Sequence, residues 1–172
     1  PKPSSAASDV YKRQMENKFP YKGNLVTVSK DMCDMNGHMN VAFYSKIFDE
    51  GSGPLYQDLG FSWDEETIRE TYSTFTLEEN IRYIKENLLN DKIYPCFRIV
   101  NVNRKIIHHA AILLNEKKEL SAISECLLIH IDMKLRKSAP MPDETFERVK
   151  KLKEKHEALG PLDFELRLKI KN

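Results

Sequence analysis

Between residues 71 and 133 the chain carries long runs of β-branched and aromatic residues, which constrain its fold more than any other feature. The runs read TYSTFTLEENIRYI, DKIYPCFRIVNVNRK, IIHHAAILLNE and ELSAISECLLIHIDM, and each is of strand length or longer. The polar segment NEKKE separates the last two, and Arg104 and Lys105 mark another candidate turn. Because turns this short join antiparallel neighbours, we expect hairpins in an antiparallel sheet.

One long amphipathic helix is predicted before these strands. From Val41 to Leu59, apolar and small residues recur at spacings of three and four, and Gly60 follows as a stop signal. Pro54 lies inside this run, where a proline removes a backbone donor and costs about 3 kcal/mol in a regular helix. We therefore expect a kink or a break near Pro54. The repeating positions are Val41, Tyr44, Phe48, Gly51, Leu55 and Leu59.

Shorter elements complete the pattern. NLVTVSK, residues 24–30, predicts a first strand, and residues 62–70 predict a short polar helix or loop. Asp143 and Glu144 begin a second amphipathic helix. Helices that are segregated from strands in this way predict an α+β fold, in which the first helix covers the apolar face of the sheet.

Composition limits the classes of protein to which the chain can belong. With 172 residues and a net charge of +1, it is long enough for one domain and has no charge excess that would predict nucleic-acid binding. No apolar run approaches the ~20 residues of a membrane-spanning helix, so no membrane partner is expected. Cys33, Cys96 and Cys126 are scattered without a CxxC pair, which argues against disulfides and zinc and predicts a cytoplasmic setting.

The domain is expected to comprise residues 15–160. Residues 1–14, PKPSSAASDVYKRQ, are small and polar and precede the first methionine, Met15. They lack the apolar segment of a secretory signal, so we interpret them as a disordered leader or a cloning remnant. Residues 161–172 have weak strand character and are predicted to be a C-terminal tail or an edge strand.

The segment DMCDMNGHMNVAFY, residues 31–44, is the strongest candidate for a functional site. It places a carboxylate, an Asn-Gly pair and a histidine directly before the predicted helix. A solvated loop has a similar composition, and an aspartate before a helix is most often its N-cap. An active-site turn is the alternative, because Gly37 permits a tight turn and the N–H groups of a helix N-terminus attract negative charge.

Three segments together resemble the hotdog-fold acyl-CoA thioesterases of the 4-hydroxybenzoyl-CoA thioesterase-like superfamily. DMNGHMNVAFY is similar to the family's Asp-x-x-Gly-His-x-Asn turn, and FTLEENIRYIKE resembles the strand after its helix. LLIHIDMKLRKSAPMP is similar to the last strand of the betainyl-CoA thioesterase branch. The resemblance covers roughly residues 25–159 and departs from the family at Val41, where a second asparagine is usual, and at Pro54. It implies a curved antiparallel sheet around one long helix, with an extra C-terminal helix.

The resemblance implies hydrolysis of a small or medium acyl-CoA, betainyl-CoA being one candidate, without a cofactor or a metal. Asp34 would act as general base or as nucleophile, two roles that the sequence leaves open, and Gly37 would let the substrate approach. The backbone N–H groups of His38, Met39 and Asn40 would form the oxyanion hole. The His38 ring would orient the site, with a structural turn histidine as the alternative. The Asn40 side chain would cap the helix or orient the substrate.

The resemblance also implies a homodimer, or a dimer of dimers, with an active site shared between subunits. Glu78 would be a second acid that reaches the site from the neighbouring chain, and a solvent-facing strand glutamate is the alternative. The segment KIYPCFRIVNVN would be a long exposed strand edge in a monomer, which favours association.

Two groups of side chains are candidates for substrate binding. Aromatic rings would face a quaternary ammonium group or line a pocket for a plain acyl chain. The basic segment KLRK would hold the phosphates of CoA or form a solvated strand end. The aromatic candidates are Tyr44, Trp63, Tyr72 and Phe75, and the basic ones are Lys134, Arg136 and Lys137.

Two further interpretations are weaker. His108 and His109 are adjacent, so in a strand they face opposite sides and cannot easily share a metal.

A non-catalytic acyl-CoA-binding protein is the alternative function. The presence of Asp34 favours catalysis, because a binding protein does not need a carboxylate beside the carbonyl.

Overall fold

One antiparallel sheet forms the centre of the fold. The structure, a computed structural model, describes residues 15–171, so the predicted leader of residues 1–14 lies outside the described residues. The strands are β1 (Tyr21–Lys22), β2 (Val26–Thr27), β3 (Tyr72–Tyr83), β4 (Lys92–Val102), β5 (Ile106–Asn115), β6 (Leu120–Asp132) and β7 (Lys137–Ser138). Their order is β1-β4-β5-β6-β3, with β2 paired to β4 and β7 to β6. The two predicted turns join β4 to β5 and β5 to β6, whereas only two residues of the predicted strand 24–30 pair.

The α-helices that follow β2 are α1 (Val41–Gly51), α2 (Gly53–Leu59), α3 (Glu65–Glu70) and α4 (Asp143–Glu157), and a short 3-10 helix, Lys30–Met32, precedes α1. The predicted break near Pro54 is confirmed, so two consecutive helices stand in place of one long helix. Pro54 lies in the first turn of α2. The N–H groups of a first turn have no acceptor within the helix, so the N–H that proline lacks removes no helical hydrogen bond there. Gly60 ends α2 with a left-handed φ of 81°. None of the helices in residues 15–171 is long and apolar enough to cross a membrane.

The inner face of the sheet packs against α1 and α2 and holds the main core. Tyr44 and Phe48 project from α1, Leu55 and Leu59 project from α2, and all are buried. This burial of apolar surface fixes the start of α1, and with it the candidate turn, against the sheet. The strand residues in the same cluster include Phe97, Ile99, Ile107, Ala111, Leu113 and Leu128.

The outer face of the sheet is covered by segments from both ends of the described chain. Met15 and Phe19 pack on it from one end, and Leu162, Phe164 and Leu166 pack on it from the other. The predicted tail is therefore part of the packed domain.

A buried carboxylate anchors this tail. Glu125 of β6 is fully buried and accepts backbone hydrogen bonds from Arg167 at 2.8 Å and Leu168 at 2.9 Å. Arg82 of β3 donates to the same carboxylate at 3.0 Å and supplies its counter-charge. The described tail residues, 161–171, contain no strand, so the alternative of an edge strand is wrong.

The strands β4 and β3 differ in how far their edges are covered. β4 pairs with β1 and β2 on one side and with β5 on the other, and its residues from Ile93 to Ile99 are buried. The expectation that KIYPCFRIVNVN is an exposed edge is therefore wrong. Instead β3 is the open edge, because within residues 15–171 it pairs only with β6.

Candidate active site

Hydrogen bonds within the turn hold Asp34 in place. Its backbone N–H donates to the carbonyl of His38 at 3.1 Å, and its carbonyl accepts from the N–H of Gly37 at 3.0 Å. Gly37 has a φ of 81°, a conformation that favours glycine, as the tight turn requires. The Asp34 carboxylate accepts from the N–H of Asn36 at 2.9 Å and from the side-chain amide of Asn40 at 3.4 Å. The orientation of the carboxylate is therefore fixed.

Helix α1 is capped by Asn40 and not by Asp34. The side-chain oxygen of Asn40 accepts from the N–H of Ala42 at 3.0 Å, and the Asn40 backbone is extended, with a φ of −64° and a ψ of 147°. The interpretation of Asp34 as the N-cap is therefore wrong, and its carboxylate has no part in starting the helix.

The protein itself uses part of the predicted oxyanion hole. The N–H of Met39 donates to the carbonyl of Asn87 at 2.8 Å, and the N–H of Asn40 donates to the carbonyl of Met32 at 2.9 Å. The assignment of these two groups as oxyanion donors is therefore wrong. Within the described chain, the N–H of His38 has no acceptor.

Val41, the first residue of α1, provides a donor that the sequence analysis missed. In the part of the chain that the structure describes, the Val41 N–H has no acceptor, whereas those of Ala42 and Phe43 donate to Asn40. A helix N-terminus carries about half a positive charge, which favours an oxyanion there. The first N–H groups of any helix lack an intrahelical partner, so the signal was present once the first residue of the helix was known.

A cleft of about 320 Å³ opens beside this helix start, and both His38 and Tyr44 line it. The Nδ1 atom of His38 lies 3.2 Å from the carbonyl oxygen of Met39, which orients the ring. Tyr44 is buried, and its hydroxyl accepts a hydrogen bond from Asn87 at 3.1 Å. Its ring packs edge-on against Tyr83, with 4.9 Å between ring centres. Tyr44 therefore packs in the core and also forms a wall of the cleft.

A larger cavity, of about 460 Å³, follows another flank of α1. It begins at Ala42, runs between α1 and the inner face of the sheet, and reaches Tyr56 of α2. Two carboxylates, Asp49 and Glu79, line it. The Glu79 carboxylate accepts from the hydroxyl of Ser45 at 2.7 Å.

A β-bulge in β3 decides which glutamate faces this cavity. The register against β6 shifts between Thr76 and Glu78, so that Thr76 and Glu79 both face α1. Glu78 lies opposite Leu127, whose neighbour Cys126 lines the cavity, so Glu78 points to the outer face. Within one chain, Glu78, the predicted second acid, therefore points away from the cavity, and Glu79 lines the cavity instead.

The predicted aromatic residues do not form a single cage within the chain. Tyr44 lies in the core, whereas Trp63 is exposed and packs against Tyr56, with 5.7 Å between ring centres. Phe75 lies on the outer face beneath the guanidinium group of Arg136. The structure therefore brings neither Trp63 nor Phe75 to the cleft beside Tyr44.

The basic turn lies at the opposite end of β3 from Asp34. Lys134 pairs with a glutamate of α3 at 2.8 Å, Arg136 has a left-handed φ of 52°, and Lys137 begins β7. Pairing with β6 places this turn beside the start of β3, whereas a bridge to Leu88 places the Asp34 turn beyond its end. A strand of 12 residues spans about 36 Å, so the two groups lie far apart within one chain.

The adjacent histidines face opposite sides of β5, as predicted. His108 lies 3.6 Å from Glu125 on the outer face, and His109 lines the larger cavity. Among the described residues, no group of three or more His, Cys, Asp or Glu side chains could hold a metal ion.

Known proteins with similar sequences are thioesterases. The chain is 29% identical over 133 residues to the betainyl-CoA thioesterase of Pseudomonas aeruginosa, which covers 77% of this chain and 83% of the relative. It is 28% identical over 137 residues to the L-carnitine dehydrogenase/betainyl-CoA thioesterase of Rhizobium meliloti. That match covers 79% of this chain but only 27% of the relative, so the chain spans about a quarter of the length of this larger protein.

Structural and family comparisons agree with this match. A solved structure of the hypothetical protein SAV2348 from Staphylococcus aureus, in complex with CoA, superposes with a TM-score of 0.72 at 24% identity. The superposition covers 88% of this chain and 95% of that one, and it confirms the predicted α+β hotdog fold. The family model of the thioesterase-like superfamily matches residues 28–149, which include the Asp34 turn, α1 and all four long strands. The chain therefore belongs to the thioesterase-like superfamily.

Proposed function

We propose that the protein hydrolyses a short acyl-CoA to the free acid and CoA. The observation that carries this proposal is that the Asp34 turn and the helix start next to it hold both an oriented carboxylate, Asp34, and the N–H of Val41, which has no acceptor within the described chain. A thioester needs little acid assistance, because a thiol with a pKa of about 8.5 leaves readily. It does need a base or a nucleophile near the carbonyl carbon and a donor for the oxyanion, and these two segments supply both.

The substrate carbonyl oxygen would accept from the N–H of Val41, with the N–H of His38 as a second donor. Asp34 would either take a proton from a water molecule that adds to the carbonyl carbon, or add to that carbon itself. In both routes the carbon–sulfur bond breaks and CoA leaves as a thiolate that takes up a proton. The second route leaves a mixed anhydride, which water then cleaves. Gly37 and Asn40 serve this chemistry by shaping the turn and holding the carboxylate.

The relatives make betainyl-CoA the first candidate substrate, because the similar protein of Pseudomonas aeruginosa is a betainyl-CoA thioesterase. In this proposal Arg136, Lys134 and Lys137 bind the CoA phosphates. Within the described chain Lys134 is paired with a carboxylate, whereas Arg136 and Lys137 are not, and of these two Arg136 can bind a phosphate through two parallel N–H groups.

A homodimer would bring the basic turn and the Asp34 turn together. The open edge of β3 can pair with the same edge of a second copy, and a two-fold axis makes the two strands antiparallel. The start of β3 in one chain then lies beside the end of β3 in the other. Arg136 of one subunit would therefore approach Asp34 of its partner, and each dimer would have two equivalent sites.

Replacement of Val41 by proline tests the central observation. Proline lacks an N–H but is well tolerated at the first position of a helix, and the extended backbone of Asn40 suits a residue before proline. We expect Val41→Pro to lower kcat about 100-fold, in the range seen when one oxyanion donor is removed, with little change in melting temperature. Val41→Ala keeps the N–H and is the matched control.

A thiol dye and a panel of acyl-CoAs provide the measurement. Equal kcat values for folded Val41→Pro and Val41→Ala would show that this N–H does not stabilise the oxyanion. If the unmodified protein binds acyl-CoAs but releases thiol from none of them, the alternative function of a non-catalytic acyl-CoA-binding protein replaces this proposal.

A further inference from the structure

We infer that the cavity of about 460 Å³ beside α1 binds the acyl group, and that Asp49 and Glu79 make it selective for acyl groups that carry a positive charge. This inference rests on the proposed function. The cavity begins at Ala42, the residue after the proposed oxyanion donor Val41, whereas the smaller cleft lies beside Val41 itself. The acyl chain and the sulfur leave a thioester carbonyl in different directions, so one substrate would occupy both spaces.

The charges that line the cavity are mainly negative. Asp49 of α1 and Glu79 of β3 contribute two carboxylates, and Lys46 contributes a cation, and all three residues are exposed at the mouth of the cavity within one chain. The Lys46 ammonium group lies 3.7 Å from the carboxylate of Glu50, which partly balances its charge, so the net charge along the cavity is negative. Burial, reinforced by the charges of Glu79 and Asp49, raises the pKa of the Cys126 thiol to about 12. The interior of the cavity therefore disfavours a further negative charge.

A buried histidine lies in the same wall, with one ring nitrogen that has no hydrogen-bond partner within the described chain. This residue is His109, which is 6% exposed and lines the cavity, and the nitrogen is its Nδ1 atom. Burial lowers the pKa of His109 to about 4, so the ring is neutral near pH 7 and adds no positive charge. The rings of Phe48 and Tyr56 also line the cavity and can interact with a cation through their faces.

The Glu79 carboxylate is held ready for a ligand. The hydroxyls of Ser45 and Ser124 donate to its two oxygens at 2.7 and 3.3 Å. A neutral acyl chain would displace water from this carboxylate without offering it a hydrogen bond or a positive charge. This uncompensated desolvation of the carboxylate costs free energy. A short acyl chain with an ammonium group would instead complete the charge balance.

Two acyl groups of the same shape test this selectivity. Betainyl-CoA carries a trimethylammonium group, and 3,3-dimethylbutanoyl-CoA carries a tert-butyl group in its place. We expect the unmodified protein to prefer the cation by about tenfold or more in kcat/KM, and Glu79→Gln and Asp49→Asn each to reduce the preference about fivefold. Glu79→Asp should retain most of it. Glu66→Gln removes an exposed carboxylate of α3 and is the matched control, which should retain the full preference.

A binding experiment separates this inference from the proposed function. Calorimetric titration with two non-hydrolysable thioethers, S-(2-trimethylammonioethyl)-CoA and S-(3,3-dimethylbutyl)-CoA, measures the preference without turnover. Tighter binding of the cation that weakens in Glu79→Gln and Asp49→Asn supports the inference, whether or not thioesters are cleaved. Equal Kd values for the two thioethers, or a preference that both variants leave unchanged, would overturn it. Cleavage of the neutral thioester would still support the proposed function in that event.

Discussion

Two donors orient the carboxylate of Asp34, the N–H of Asn36 and the side-chain amide of Asn40, and no helix uses it as a cap. We predict that Asp34→Asn lowers kcat for acyl-CoA hydrolysis on the order of 1000-fold, because a carboxamide is neither a base nor a nucleophile. The turn should survive, since the amide oxygen can still accept from Asn36. Thiol release and circular dichroism on one preparation measure both effects.

Asp31 offers a matched control for this substitution. It is an exposed aspartate in the same segment, and Asp31→Asn should keep activity within about twofold. Turnover at the wild-type rate in folded Asp34→Asn would show that Asp34 has no chemical role.

His156 should make the stability of the protein depend on pH. Its Nδ1 atom accepts from the N–H of Ile99 at 2.9 Å, and burial together with the nearby charge of Arg98 lowers its pKa from 6.5 to about 4. Between these values the unfolded chain binds the proton and the folded chain does not. The free energy of unfolding should therefore be highest above pH 6.5 and fall as the pH approaches 4, by up to about 1.4 kcal/mol per pH unit for this group.

Urea unfolding between pH 7 and pH 4.5 measures this dependence. In His156→Asn the amide oxygen can still accept from Ile99 but cannot titrate, so the slope should be smaller, although His109 will keep part of it. An identical slope in the variant and the unmodified protein would contradict the prediction.

At the scale of single elements, one close contact sets the distance between α1 and the sheet. A Cβ atom added to Gly51 would lie 2.4 Å from the Cγ atom of Pro95 in β4. We predict that Gly51→Ala lowers the free energy of unfolding by about 1–3 kcal/mol, because the proline ring is rigid and the helix must shift. Chemical unfolding measures the change.

Gly53, two residues further along, is the control for this contact. A Cβ atom added there meets nothing within 4 Å apart from its chain neighbours, and its one conflict is with the ring of Pro54, which follows it, so Gly53→Ala should change the free energy of unfolding by less than about 1 kcal/mol. Equal destabilisation by both substitutions would mean that backbone conformation, and not the contact with Pro95, is responsible.

The elements also show which local predictions succeed. The break before Pro54 and the end at Gly60 are confirmed because each follows from the backbone chemistry of a single residue. The choice between Glu78 and Glu79 was missed because the bulge in β3 exists only in the pairing with β6, and one inserted residue reverses the faces of the strand beyond it.

At the scale of the whole molecule, we predict a homodimer with shared active sites. If Asp34 of one chain acts with Arg136 of its partner, both Asp34→Asn and Arg136→Glu should be weakly active alone. Random mixing should then restore about a quarter of wild-type activity, because half of the dimers are mixed and each mixed dimer has one intact site. Light scattering and activity after subunit exchange provide the measurements.

The prediction requires both that light scattering shows a dimer and that mixing the two variants restores activity. A monomer at working concentration would contradict the shared site outright. Dimers that exchange subunits without recovering activity would mean that each chain forms its site alone or that Arg136 does not bind CoA. Lys137→Glu in place of Arg136→Glu tests whether any basic residue of the turn is sufficient.

The sequence by itself determined the fold class, the order of helices and strands, the helix break and the turn that contains Asp34. These features depend on periodicity and on backbone preferences within a few neighbouring residues, which are visible without the fold. The tertiary structure alone decided that β3 is the open edge, that Met39 and Asn40 use their N–H groups internally, and that Glu79 lines the cavity. Each of these depends on a partner distant in the sequence, because pairing across strands determines which edges, N–H groups and faces stay available.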